Sequence, residues 1–359
     1  AKPEDAVATT IDIEEGKKFW AYQKPAKATQ PAMPNSKWPV SDVDRFIAVK
    51  LGEKGLDPAK DADAAPLLRR IHFDLIGLPP TPEEVVSFAA ASKKDPDRAY
   101  SEKVDELLAS DQFGERWGRH WLDVARFAES TGKEINMTYP HAWRYRDYVI
   151  DSFNEDKPYD QFVTEQIAGD LMKAKNEEDW QENLVATGVL ALGTKGLNER
   201  DPRQFTMDMV DEQIDATSQA ILGLTVACAR CHDHNSDPIP TPDNYTMAAI
   251  FQSTRTYYGT VNAGFVQRAS KLLELPIPDE TTQGSMSSVQ VTRLKERLAS
   301  TREELNEVQL EARRARMNGG NTAVPNNINL VLRLRTQVAV MEAQLGAVDE
   351  NGLAKSLCM

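Results

Sequence analysis

LTVACARCHDHNSDPI, residues 224–239, carries two of the chain's three cysteines and two of its five histidines within one short run. Cys228, Cys231 and His232 make C-x-x-C-H, the spacing of c-type haem attachment. Two thiols add across the porphyrin vinyl groups, and the adjacent imidazole reaches the iron from the same turn. On this reading His232 is the proximal iron ligand and one covalent haem c is the cofactor. The rest of the chain then reads as an all-α scaffold around that site.

Other readings of the same residues stay open. Cys228, Cys231, His232 and His234 offer zinc its preferred thiolate and imidazole donors, although structural zinc sites usually draw on two ligand pairs separated by a loop. A redox C-x-x-C is expected beside a βαβ pattern, for which the sequence gives no signal. A structural disulfide between Cys228 and Cys231 would close a very small loop.

Upstream of this run the signals are helical. Residues 1–40 hold Pro25, Pro31, Pro34 and Pro39 and read as an extended arm pinned by Trp20 and Trp38. Ser41 and Asp44 start a helix with Val43, Phe46, Ile47 and Leu51 as its buried stripe. A second helix over 64–76 is stopped by Gly77 and Pro79-Pro80, and Thr81 with Pro82 starts a third. Another helix, 99–110, leads into residues 111–130. There Phe113, Trp117, His120, Val124 and Phe127 repeat at helical spacing, which puts His120 on an apolar face. His120 is thus either a core histidine or the candidate distal iron ligand or acid/base group. Helices over 142–154, 159–172, 182–192 and 207–222 follow, Gly223 ending the last. Arg119 and Arg126 are candidate partners for haem propionates, because a guanidinium fork matches a carboxylate.

Downstream, Thr241 and Pro242 start a helix over 243–252, and residues 41–258 read as one helical domain. Residues 259–287 are rich in Gly, Pro, Thr and Ser and read as a linker. Val291, Leu294, Leu298, Thr301, Leu305, Val308, Ala312 and Ala315 keep alternating spacings of three and four. Val331, Leu334, Val338, Met341, Leu345 and Val348 return with the same spacing beyond a tip at 318–327. Residues 288–349 therefore read as an antiparallel coiled-coil hairpin. Residues 350–359 read as the start of a C-terminal region beyond Met359, with Cys358 exposed if that end frays.

The chain of 359 residues, 41% of them hydrophobic, is long enough for about two domains and a sizeable core. Its formal charge of −13 disfavours a nucleic-acid surface and suits a basic protein partner or plain solubility. No apolar run approaches a membrane span. The start at Ala1, without a charged and apolar leader, is what a mature exported protein would show.

Four stretches, LLRRIHFDLIGLPPTPEEV (67–85), ERWGRHWLDVARFAES (115–130), WRYRDYVIDSFNEDKPYDQFVTEQIAGD (143–170) and residues 210–251 around the C-x-x-C-H run, resemble the planctomycete cytochrome-c-like domain family. The resemblance covers residues 18–258. It implies an exported protein in which this domain precedes a coiled-coil hairpin and a second uncharacterised domain. It also implies that Cys228, Cys231 and His232 attach haem, and it places His120 and His234 within family motifs. Asn235-Ser236 departs from the family, which often has a basic and aromatic pair there.

The expectation is an all-α haem-c protein of the periplasm or cell envelope, acting in electron transfer or haem-based oxidoreduction with a redox partner protein. If the distal side is open, His120 makes it peroxidase-like. His234 lies too close in sequence to His232 for the same iron and suits a propionate hydrogen bond. The competing expectation is a structural or assembly subunit whose haem stiffens the core. Its hairpin would dock the missing C-terminal domain or a second copy.

Overall fold

The computed structural model describes residues 12–32, 38, 41–260, 266–277, 285–317 and 324–359, without the side chains of 315–317 and 324–327. Residues 1–11, 33–37, 39 and 40 of the expected arm, 261–265 and 278–284 of the expected linker, and the tip at 318–323 lie outside the described residues. The chain forms two units, residues 1–109 with 235–238, and residues 110–234 with 239–359. The first boundary falls within the span that reads as one domain in the sequence.

The first unit holds α1 (Ile13–Gly16), α2 (Asp42–Glu53), α3 (Ala64–Leu75), α4 (Pro82–Ser92) and α5 (Pro96–Leu108). The capping residues act as the sequence requires: Ser41 with Asp44 and Thr81 with Glu84 both close complete capping boxes. Leu68, Ile71, Phe88, Ala99 and Leu107 form the core of this unit. Two expectations fail here. Val43, Phe46 and Ile47 are exposed, and Ala48 is the buried residue of α2, because the core is assembled from α3, α4 and α5. The arm carries a helical turn at α1 and a 3₁₀ turn at Trp20–Tyr22, and Trp20, 78% exposed, does not pin it. Tyr22 makes a tie instead, its hydroxyl donating to Asp237 Oδ1 at 2.7 Å.

The second unit holds α6 (Asp111–Val124), α7 (Ala142–Asn154), α8 (Tyr159–Ala168), α9 (Glu177–Ala186), α10 (Pro202–Thr217), α11 (Thr241–Gln252), α12 (Ser288–Met317) and α13 (Val324–Gly346). Helix α6 corrects the expected apolar face. Its buried residues are Gly114 and Gly118, while Trp117, His120 and Val124 are exposed. The reason is steric. A Cβ at Gly114 would collide with the Ile150 carbonyl oxygen and the Asn154 side chain of α7, so the glycines let the two backbones approach and take the inward position. Phe127 lies beyond the end of the helix. Tyr145, Tyr148, Val149, Phe162, Leu184, Ala186, Leu192 and Leu197 fill the core behind this pair.

Helices α12 and α13 pack side by side in opposite directions, with Arg302 Nη2 paired to Glu342 Oε1 at 2.6 Å. Val291, Leu298 and Thr301 of α12 and Leu334 and Met341 of α13 are buried, as is Val348 just beyond α13. The chain end is not frayed. Leu357–Cys358 (β2) pairs antiparallel with Leu273–Glu274 (β1), and Cys358 and Met359 join the core. Cys358 is 2% exposed, and burial pushes its thiol up to about 12. Part of the expected linker is therefore packed structure, with Val266 and Leu275 buried. Among the described residues, no helix is long and apolar enough to cross a membrane.

Candidate cofactor attachment site

The C-x-x-C-H run sits on a short 3₁₀ turn, Val226–Arg230, reached from α10 through a π-helical turn that Gly223 ends in the left-handed region at φ 64°. In a 3₁₀ turn residues i and i+3 eclipse one another. Val226 and Ala229 accordingly share an inward face and are buried against Val210, Ile214, Ile239, Ala248 and Phe251. Cys228 in the turn and Cys231 at its C-cap are both exposed and unbridged.

Helices α10 and α11 hold this turn by its backbone. Asn244 Nδ2 donates to the Val226 carbonyl at 3.3 Å, Tyr245 Oη donates to the Arg230 carbonyl at 3.2 Å, and Arg230 is ion-paired with Asp211. Asp233 Oδ1 accepts from the Thr241 N–H at 2.8 Å, tying the loop to the start of α11. Leu222 and Tyr245, each 55% exposed, leave apolar surface beside the turn.

The two histidines of the run have different surroundings. His232 is exposed, and its Nδ1 lies 2.7 Å from the Asp233 carbonyl oxygen. A carbonyl only accepts, so Nδ1 carries the proton in this contact and Nε2 is the nitrogen left to face a metal. A metal-bound histidine has the same arrangement. His234 is 9% exposed, and its Nε2 is 2.9 Å from Thr225 Oγ1 while its N–H donates to the Ile239 carbonyl at 2.9 Å. His234 thus braces the loop. Among the described residues, no group of three or more His, Cys, Asp or Glu side chains is arranged to hold one metal ion.

The remaining candidates lie on or just past α6. His120 is exposed and meets Trp117 edge-on, with ring centroids 5.4 Å apart. The buried position that made it a candidate is not the one it occupies. Arg119 is exposed. Arg126, at φ 55°, binds Glu212 twice, through its Oε1 at 2.6 Å and its carbonyl at 3.2 Å, where a propionate partner was expected.

Glu212 belongs to a buried polar cluster that the sequence does not announce. Lys195 is 2% exposed, and its Nζ donates to the Ala191 and Leu192 carbonyls at 2.6 and 3.3 Å. The ammonium also faces the rings of Tyr139 and Tyr258 at 5.4 and 5.3 Å. Burial lowers Lys195 to about 8, opposed by Glu212, and burial raises Glu212, opposed by Arg126 and Lys195. Gly193, at φ 95°, makes room for the Glu212 carboxylate where a Cβ would collide with it. Positive φ at a glycine is the one local clue, and it is visible only once the backbone is folded.

A model of the family described as PSCyt2, a protein of unknown function (DUF1549), matches residues 42–256, almost the span over which the sequence resemblance runs. No curated protein and no solved structure matches the chain.

Proposed function

The chain belongs to the PSCyt2 family, whose function is unknown, and from that premise and the exposed Cys228, Cys231 and His232 we propose that it is a c-type haem protein acting in electron transfer or haem-based oxidoreduction. The observation that carries the reading is the paired geometry of the turn. Both thiols are exposed and unbridged, Cys228 within the 3₁₀ turn and Cys231 at its C-cap, and the neighbouring imidazole has Nδ1 occupied by the Asp233 carbonyl. These residues fit haem c: Cys228 and Cys231 would hold it by thioethers, and His232 Nε2 would be the proximal ligand. A bound haem supplies a one-electron couple. The chain's own part is to hold the turn rigid through Asn244, Tyr245 and the Arg230–Asp211 pair. Leu222 and Tyr245 offer apolar surface beside it, which suits a flat apolar cofactor. Such attachment places the protein in the periplasm or another exported compartment, with a redox protein as its partner. His120 stays a distal candidate by sequence motif alone.

The test is the absorption spectrum of the purified protein, oxidised and then dithionite-reduced, with and without carbon monoxide. A haem spectrum that survives acid-acetone extraction is expected, and it is lost from Cys228→Ala/Cys231→Ala. Insensitivity to carbon monoxide assigns electron transfer, and a shift assigns an open distal side. His120→Ala changes the reduced spectrum only if that imidazole is the distal ligand. A colourless protein overturns the reading and leaves the zinc and thiol alternatives.

A further inference from the structure

A cleft of about 300 Å³ opens in the second unit where α6, the end of α7 and the start of α8 meet, and it shares no residue with the C-x-x-C-H turn. That volume is at the lower end for small-molecule sites. Five of its lining residues are aromatic: Phe113, Trp121, Phe153, Tyr159 and Phe162. Trp121 meets Phe162 and Tyr159 with ring centroids 4.8 and 6.5 Å apart and planes at 68° and 80°, and Phe153 meets Phe162 at 6.1 Å and 63°. Rings set this close to right angles form adjoining walls, not a stack. Trp121 is locked in place, since its Nε1 donates to Gln166 Oε1 at 2.9 Å and Tyr145 Oη at 3.0 Å.

The lining carries one carboxylate, Asp156, and one ammonium, Lys157, and the carboxylates paired to Lys157 tip the surroundings to negative charge. Asp156 lines the cleft from an exposed position at φ 51°, just past the end of α7, where glycine or asparagine is the usual occupant. Lys157 also lines the cleft, but its Nζ is 2.7 Å from Glu165 Oε2 and also bonded to Glu182, so two carboxylates answer its single charge. At the neighbouring Asp151, burial raises the carboxyl, Asp147, Glu182 and Asp111 raise it further and Lys157 lowers it, so carboxylates outnumber cations around it. Such a field repels anions. Aromatic faces with a net negative border attract a bulky, weakly hydrated cation.

The geometry points to this cleft as a binding site for a compact organic cation of the quaternary-ammonium type, held against the aromatic walls with Asp156 at the rim. It does not depend on the haem reading, because none of these residues is in that turn. Titration calorimetry on the full chain with choline, glycine betaine and the neutral isostere 3,3-dimethylbutan-1-ol tests it. Choline is expected to bind about fivefold or more tighter than the isostere. Betaine is expected to bind more weakly than choline, since its carboxylate meets Asp156. Asp156→Asn keeps a residue that tolerates the left-handed backbone, and it is expected to weaken choline severalfold without changing the isostere. Tyr159→Ala, at a position 60% exposed, removes one wall with little risk to folding and is expected to weaken choline too. Equal affinity for choline and the isostere, saturation by neither, or an equal loss of both in Asp156→Asn overturns the proposal.

Discussion

At the scale of single residues, burial decides which titratable groups influence stability. Lys195 sits at about 8 in the folded chain because burial penalises its ammonium more than Glu212 relieves it. An unfolded lysine titrates near 10.4, so between these values the unfolded chain holds the proton and the folded chain does not. Stability from this group therefore rises with pH across that window. Buried tyrosines work the other way above pH 10, Tyr258 being pushed up to about 12 by burial, and comparison with Lys195→Met removes their contribution. Denaturant unfolding at pH 7.5 and 9.5 should show the native chain gaining about 2 kcal/mol relative to Lys195→Met over that interval. Equal pH dependence of the two proteins would mean that Lys195 is charged and solvated when folded. The same scale explains why the attachment turn could be read from the sequence and this cluster could not. Cys228, Cys231 and His232 are neighbours along the chain, and their spacing alone carries the reading. Arg126, Lys195 and Glu212 meet only because Gly193 leaves space for the Glu212 carboxylate.

At the scale of elements, the helix signals and caps were legible, and the faces were not always so. Thr81, Pro82 and Glu84 mark the start of α4 in the sequence as they do in space. In α6 the recurrence of Phe113, Trp117, His120 and Val124 suggested a buried face, yet close approach to α7 needs the side without side chains. An apolar count does not register a glycine pair, because glycine contributes contact by absence. Gly114→Ala tests which effect governs. Alanine favours an isolated helix by about 1 kcal/mol, whereas overpacking a close contact costs about 1–3 kcal/mol. The new Cβ would also displace Asn154, whose Oδ1 accepts from the Gly114 N–H at 2.7 Å. A net loss of about 1–2 kcal/mol is expected by denaturant unfolding, with Val124→Ala within about 0.5 kcal/mol of the parent. The reverse order of effects would restore the apolar row as the packed face.

At the scale of the molecule, the second unit is closed in part by residues 356–359. The run SLCM is too short and too mixed to signal a strand, but Ser356, Leu357, Cys358 and Met359 are all buried, with Leu357 and Cys358 paired to β1. The hairpin α12–α13 is therefore an excursion between two segments of one core, not a terminal appendage. This separates two roles that the sequence alone confounds, support for the fold and docking of a partner. Truncation after Gly346 removes Val348, Leu357, Cys358 and Met359 from the interior, and burial of such side chains is worth about 1.5–3 kcal/mol each. That chain is expected to lose most of its cooperative unfolding transition. Excision of residues 303–341, with Arg302 joined to Glu342 by a Gly-rich turn, keeps every closing residue, and shortening a loop changes its closure entropy by only about 0.6 kcal/mol per halving. The ion pair at 2.6 Å shows that the two ends already meet. Its thermal midpoint should stay within a few degrees of the parent, while light scattering reports whether assembly has changed. Collapse of the excised chain would make the hairpin part of the folding core. A stable chain with altered assembly would make it a docking element, and a stable chain with unchanged assembly would count against the structural-subunit alternative.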